Sequence, residues 1–536
     1  MTIKEQPATA EPKVETLGEF TQFGRYTIFF LIAAELLLLP EVMNMTFMIY
    51  GGVIPKVSNC GKHNLTHLSK DEVCSQVAIL KNETGCQPSL VADFQSLGYE
   101  FKKYCGTSVE VKGIVSLCMF GALVGSIVFG QLSDGFGRKR MLLIAHAGMF
   151  IFDFFASQAR SLYEFAIIQL ITMFFAGAHS SILHVYLLEN VPKRHRLWVT
   201  CLLTYSPNYV ITAGLAYLAK DWRTLLQLAS ALNVLSFGVL MIAFESPRWY
   251  IQKGRLKQAR ATLRRIELIN GTQTEERLVL LDNLIEEERR SIETQKRKRQ
   301  YYFYHLFYNV KSTLYTFTIS YALVCTSVLT FATVFNLEYL TGSLYLNISM
   351  YGAFRYFINI TVGVLDFHFT KLGRKLINNS FLSVILVLLT IVAGSKLLGL
   401  DEPMLVRLCV LCSASLASQL YMLNAVITSE LFPTGIRNVA ASFIQLFSRL
   451  GGVAAPHLFY LSVFWDPLPF IIMLLIITAN LVLFNAFIPE TKHNNLSDHL
   501  PEKRKKYFQA GKPLLNQNGA EIPPKNNSAA GLIDEL

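Results

Sequence analysis

Twelve stretches of this chain are apolar enough, and long enough, to cross a bilayer: 26–48, 110–130, 141–158, 162–188, 197–219, 223–244, 314–336, 345–367, 377–399, 404–427, 439–462 and 467–488. A helix crossing the hydrocarbon core needs roughly 20 mostly apolar residues, because its backbone donors and acceptors must be satisfied within the segment. Composition agrees: 52% of the 536 residues are hydrophobic and 16% charged, more apolar surface than a soluble domain of this size buries. The expected fold is an all-α membrane protein of twelve transmembrane helices. Six lie on either side of a charged stretch. The expected organisation is therefore an N-terminal segment 1–25, a six-helix half 26–244 with a long loop 49–109, a central loop 245–313, a second six-helix half 314–488 and a tail 489–536.

The central loop carries Arg248, Lys253, Arg255, Lys257, Arg260, Arg264 and Arg265, then KRKR at 296–299, which assigns it to the cytoplasm. An even number of spans then puts both termini in the cytoplasm as well. The polar N-terminus has neither the basic start nor the short apolar core of a secretory signal, so the first span serves as the insertion signal. A net charge of +11 reads as topology rather than nucleic-acid binding, since the basic residues sit between apolar spans without an RNA-binding or helix-turn-helix pattern. A multi-pass protein of the plasma membrane, in contact with the lipid bilayer, is the expectation.

Topology puts 49–109 outside the cell. It holds Cys60, Cys74, Cys86 and Cys105, which can pair in three ways, and the glycosylation acceptors Asn64 and Asn82. Without CxxC spacing these cysteines do not read as a zinc site. Cys118, Cys201, Cys325, Cys409 and Cys412 lie in spans, where a thiol behaves as a small buried hydrophobe. No metal and no cofactor is called for.

The chain also repeats itself. GQLSDGFGRKR follows the second span, with Asp134 and Arg138, and DFHFTKLGRK follows the eighth, with Asp366 and Arg374. Glu189-x-x-Pro192-x-x-x-Arg196 follows the fourth span, and Glu430-x-x-Pro433-x-x-x-Arg437 the tenth. Span six ends in Glu245-Ser246-Pro247-Arg248 and span twelve in Pro489-Glu490-Thr491-Lys492. Three motifs in the same order at a nearly constant offset imply two parallel halves. Glycines allow tight turns there, and carboxylates can pair with Arg and Lys across neighbouring helix ends. Asp134, Arg138, Glu189, Arg196, Glu430 and Arg437 are thus expected to control opening at the cytoplasmic face.

GQLSDGFGRKR, ESPRW, ELFPTGIR and PETK resemble the cytoplasmic signatures of the major facilitator superfamily. FTQFGRY at 20–26, the cysteine-bearing loop, DWR at 221–223, LYLN at 344–347 and SRLGGVAAP at 448–456 together resemble its organic ion transporters, which carry anions, cations or carnitine-like compounds. The resemblance runs over about residues 17–492, although Ile168-Gln169-Leu170 stand where an arginine is usual near the start of span four. It implies a major facilitator fold and alternating access.

Ionisable residues inside a membrane are costly and need a reason. Those singled out are Arg355 in span eight, Arg449 in span eleven, Glu35 in span one, Asp153 in span three, and His179 and His184 in span four. In a fold of the kind the resemblance implies, Glu35, Arg355 and Arg449 would line one water-filled site, with Glu35 able to pair with either arginine. Asp153 is expected to bond within its own half. Tyr351, Phe354, Phe331 and Phe447 lie near the arginines and suit a substrate with an apolar body and a charged head. The resemblance adds that the position of Arg449, aligned by Leu450-Gly451-Gly452, is aspartate in cation carriers and arginine in anion and carnitine carriers. Carnitine carriers also have a glutamate near the position of Arg355. The expected function is transport of small organic ions, foremost organic anions, by facilitated diffusion or exchange, in which a counter-ion or exchange substrate could take part. The alternatives are a cation or carnitine-like zwitterion carrier, and a membrane sensor that binds ligand without moving it. No nucleophile–base set or phosphate loop points to an enzyme.

Overall fold

The computed structural model describes residues 20, 23–65, 67, 68, 70–105, 108–192, 199, 202, 203, 205–295, 303–337, 340–368, 373–400, 402–432 and 436–491. The first half contains α1 (Arg25–Gly51), the cap elements β1 (Lys56–Cys60), β2 (His63–Asn64), α2 (Lys70–Thr84), β3 (Pro88–Val91) and α3 (Leu97–Glu100), then α4 (Ser108–Phe136), α5 (Arg138–Ser157), α6 (Leu162–Asn190), α7 (Tyr205–Ala219) and α8 (Trp222–Ile242). Helices α9 (Pro247–Gln252), α10 (Leu256–Asn270) and α11 (Glu275–Gln295) connect it to the second half. That half contains α12 (Val310–Val334), α13 (Leu344–His368), α14 (Arg374–Leu398), α15 (Pro403–Leu431), α16 (Arg437–Leu458) and α17 (Leu468–Phe487).

Nine of the described helices meet both the length and the apolarity of a membrane span. Three more complete the twelve in chain order. Helix α13 is diluted by Asn347, Arg355 and Asn359, α16 by Arg449, and the beginning of span five precedes the described part of α7. Several helices outrun the apolar stretches that announce them: α4 continues to Phe136 and α15 to Leu431, where polar residues continue the helix past the apolar run. The result is the expected all-α protein with two six-helix halves.

Within the first half, α4 and α6 approach at glycines. A Cβ on Gly125 would stand 1.8 Å from the Phe174 carbonyl oxygen, and one on Gly177 would stand 2.1 Å from that of Ala122. Small residues let two backbones meet where lipid supplies no hydrophobic drive for helix association. The halves meet along α4 with α16 and along α7 with α13.

The cap is a three-stranded antiparallel sheet in the order β2-β1-β3, with α2 packed on it through Val57, Leu65, Val73 and Val77. Of the three possible cysteine pairings the structure has Cys60–Cys86 and Cys74–Cys105. Glu100 fastens the cap to the first half, accepting from Trp222 Nε1 at 2.7 Å and from Arg223 Nη2 at 2.5 Å. Arg223 also donates to the carbonyls of Ser157 and Ala159, and Asp221 caps the N-terminus of α8. The DWR triplet is therefore a joint between the cap and two helix ends.

The connecting helices share a small core of Phe20, Ile251, Ala259, Leu263, Leu281 and Leu284. Two of their charges turn inward: Glu267 is buried and pairs with Arg277 at 2.8 Å, and Arg277 also donates to the Phe20 carbonyl. Asn270 accepts from the backbone N–H of Tyr26 at 2.9 Å, tying α10 to the start of α1.

Candidate functional site

Two sets of polar residues stand out, one at the helix ends away from the cap and one along the seam between the halves. At the first, Gly137 precedes α5 with φ 115°, a conformation glycine adopts without strain. The Glu245 carboxylate occupies the space a Cβ would need, with Oε2 2.5 Å from that position. It accepts from the backbone N–H of Arg138 at 3.1 Å and of Lys139 at 3.0 Å, satisfying donors that an α-helix leaves open at its N-terminus. Burial raises the pKa of Glu245, and the hydrogen bonds from Lys139, Ser246 and Arg138 oppose that rise. Arg138 reaches Asp134 at 2.6 Å and Glu189 at 3.3 Å. The second half repeats the scheme: Glu490 accepts from the N–H of Arg374 at 2.7 Å and of Lys375 at 3.1 Å, and Arg374 lies 3.6 Å from Glu430. Thr491 donates to Glu430, whereas Arg437 turns to the Phe432 carbonyl at 3.4 Å. Arg196 lies outside the described residues. Asp134, Arg138 and Glu189 are thus brought together, and Glu430 meets Arg374 rather than Arg437.

Along the seam, Arg449 on α16 donates across to Ser180 Oγ on α6 at 2.9 Å. Arg355 on α13 lies 5.6 Å over the ring of Tyr209 on α7, and Tyr209 meets Tyr351 edge-on at 5.0 Å. Asn359 on α13 donates to Ser206 on α7 at 3.2 Å. Towards the cap, Ser116 donates to the Val453 carbonyl at 3.0 Å, and Tyr345 stacks on Tyr50 at 6.0 Å. Phe331 stacks on Phe335 and borders Gly452, Phe354 packs against a core that both halves share, and Phe447 meets Phe443 at 5.2 Å.

Glu35 does not pair with either arginine among the described residues. Its Oε1 accepts from Asn208 Nδ2 at 2.9 Å instead. Asp153 bonds within its own half, accepting from Asn44 and Asn233 at 3.0 Å each. Two further ionisable residues lie within the spans. Glu41 on α1 is buried and takes His179 Nδ1 at 2.6 Å and Tyr205 O–H at 2.9 Å, and His146 on α5 lies edge-on to His179 with ring centroids 4.5 Å apart. Both sit in apolar runs, LLLLPEVMN and LLIAHAGMF, the same signal that singled out Glu35. Asn64 and Asn82 are exposed on the cap. Cys118, Cys325 and Cys409 are buried thiols, and Cys201 lies outside the described residues.

Two six-helix halves, a repeated set of charged helix-end clusters and ionisable residues along the seam define a membrane transporter of the major facilitator kind. The chain belongs to the sugar (and other) transporter family, whose model matches residues 71–499. It is similar to the organic cation transporter protein of Drosophila melanogaster, 26% identical over 500 residues that cover 90% of this chain and 86% of that one. It is equally similar to organic cation/carnitine transporter 2 of Rattus norvegicus, 26% identical over 568 residues that cover 96% and 98%. In fold it resembles the inward open conformation of the xylose transporter XylE from E. coli, with a TM-score of 0.62 at 16% identity over 87% of this chain and 98% of that one. The family and its solved neighbours are transporters, not enzymes.

Proposed function

We propose that this protein carries small organic ions across the membrane by alternating access and takes the anionic head of its substrate at Arg449. One observation carries the reading. Arg449 is a fixed positive charge on the seam between the halves, held by the Ser180 hydroxyl and by no carboxylate among the described residues. An arginine can fork two hydrogen bonds to a carboxylate, and it does so more strongly in a low-dielectric site than at a surface. Arg355, backed by Tyr209 and Tyr351, supplies a second cation on the same seam. Asp134, Arg138, Glu189, Glu430 and Arg437 then act as locks for rocking the halves, at the face we assign to the cytoplasm together with α9–α11 and both termini. The cap, glycosylated at Asn64 and Asn82, faces outward from the plasma membrane.

A second reading has its own support. The relatives named above carry organic cations or carnitine, and Glu35 Oε2 is buried with no hydrogen-bond partner among the described residues, so it could face a cationic head. A zwitterion would use both charges. Counterflow in proteoliposomes, run separately with organic anions, zwitterions and cations, decides. Counterflow of anions or zwitterions that Arg449→Ala abolishes is the expected result. Strong cation counterflow that Arg449→Ala leaves intact overturns the assignment of Arg449.

A further inference from the structure

We propose that Glu41 and His179 form a proton site coupled to Arg449, so that one proton travels with each anionic head; this rests on the reading of Arg449 given above. The coupling is a continuous chain of contacts. Arg449 donates to Ser180 Oγ at 2.9 Å, Ser180 Oγ lies 3.4 Å from Tyr205 O–H, Tyr205 donates to Glu41 Oε1 at 2.9 Å, and Glu41 Oε2 meets His179 Nδ1 at 2.6 Å. The directions are forced. Arginine can only donate and an ionised carboxylate can only accept, so every hydroxyl between them points its hydrogen toward Glu41. The chain begins on α16 in the second half and ends on α1 in the first, crossing the seam that must open during transport.

Charge balance gives the stoichiometry. With His179 neutral, the one negative charge of the Glu41–His179 pair balances Arg449, and that of Glu35 balances Arg355. An anionic head on Arg449 would leave one negative charge in excess inside the membrane, which is costly. One proton from water, forming an O–H bond on Glu41 or an N–H bond on His179, restores the balance, and its release on the other side returns the empty carrier to its starting charge. His179 Nε2 is buried without a hydrogen-bond partner among the described residues, leaving a lone pair there when Nδ1 carries the hydrogen.

The surroundings of Glu41 hold few competing charges. From α6 come His179 and, further along, His184; from α7 comes Tyr205; from α5 His146 meets His179; from α16 comes Arg449; and Glu35 lies on α1 itself, bonded to Asn208. Helix α8 has no ionisable residue from 224 to 242, and α10 meets α1 near its start. Asp153 is occupied by Asn44 and Asn233.

The test uses proteoliposomes holding only this protein, with the membrane potential clamped. The probes are a labelled aromatic monosulfonate and a labelled sulfobetaine, which keep their charge over about pH 5 to 8, so any proton moved is the protein's. An inward proton gradient should raise uptake of the carried probe about fivefold or more, and a trapped dye should report acidification of the lumen during uptake. Glu41→Gln should lose that response; Tyr205→Phe, which keeps the ring and removes only the O–H link, serves where Glu41→Gln fails to fold. Equal uptake with and without the gradient, and no change in lumenal pH, overturns proton coupling and leaves the Arg449 reading standing. A gradient response kept by both variants overturns the assignment to this pair. No probe movement at any pH, together with no counterflow of any anion or zwitterion, overturns both readings.

Discussion

Glu245 closes the N-terminus of the helix that Arg138 begins: its carboxylate accepts the backbone N–H of Arg138 from 107 residues away in the chain, and Gly137 leaves it the room. Glu490 treats Arg374 in the same way beside Gly373, where a Cβ would lie 2.1 Å from Glu490 Oε2. The glycine before each arginine thus makes space for a remote glutamate. Each alanine replacement, Gly137→Ala and Gly373→Ala, should lower the melting temperature of the purified protein, and Glu245→Ala should cost about 0.5–2 kcal/mol, as loss of a helix cap does. Unchanged melting in all three variants would remove the cap from the account.

The two acidic partners of Arg138 differ in exposure. The Asp134 side chain is 67% exposed and that of Glu189 is 11% exposed. Asp134→Asn should therefore leave stability within about 1 kcal/mol of wild type, while slowing transport without reordering substrates. Arg138→Ala leaves Glu189 without its cation in a half-buried place and should destabilise by about 3 kcal/mol or more. Thermal unfolding and a substrate panel measure both; a reordered panel in Asp134→Asn would move Asp134 from lock to ligand site.

Close approach of α4 and α6 predicts a sharp contrast between glycines. Gly125→Ala drives a methyl group into the Phe174 carbonyl, whereas at Gly130 a Cβ meets nothing within 4 Å. Gly125→Ala should lose most of the monodisperse protein in size-exclusion chromatography, and Gly130→Ala should match wild type. Equal yields would mean that the helices can part at little cost.

On the cap, glycosidase should increase the mobility of the protein from eukaryotic cells, and Asn64→Gln with Asn82→Gln should abolish that shift. A full shift in the double variant would place the sugar elsewhere.

Arg449→Lys keeps the charge but loses the fork, so it should retain part of the anion transport that Arg449→Ala abolishes. Arg355→Ala should reduce uptake of dianions more than of monoanions. Equal losses for the two substrate types would assign Arg355 to packing against Tyr209.

The spans and the duplication were legible because each is a long or repeated pattern, and Arg355 and Arg449 were legible because a charge in an apolar run is conspicuous. Their partners were not. Ser180 and Tyr209 are ordinary residues for a membrane helix, and only packing brings them to an arginine from 269 residues away in one case and from a different half in the other. The glutamates after spans six and twelve could be matched as repeats, but hydrogen bonding to a distant helix end leaves no periodic trace in a sequence. Glu41 carries the same signal as Glu35, a carboxylate in an apolar run, and its role shows only once packing brings His179 and Tyr205 to it. The alternative of an ion pair between Glu35 and an arginine is not realised among the described residues for a geometric reason, since Asn208 on the adjacent α7 already fills one of its oxygens.

The joint made by Glu100, Trp222 and Arg223 decides which half the cap travels with. Everything it grips belongs to the first half, whereas the hydrogen bond from the second half to the cap among the described residues is that of the Tyr345 hydroxyl, 3.4 Å from the Asp93 carbonyl. With the halves rocking as proposed, the cap is therefore a passenger rather than a hinge. An antibody fragment that holds the cap alone would ride along with turnover, but one whose footprint bridges Asp93 and Tyr345 would stitch a moving border and stall the cycle without entering the substrate path.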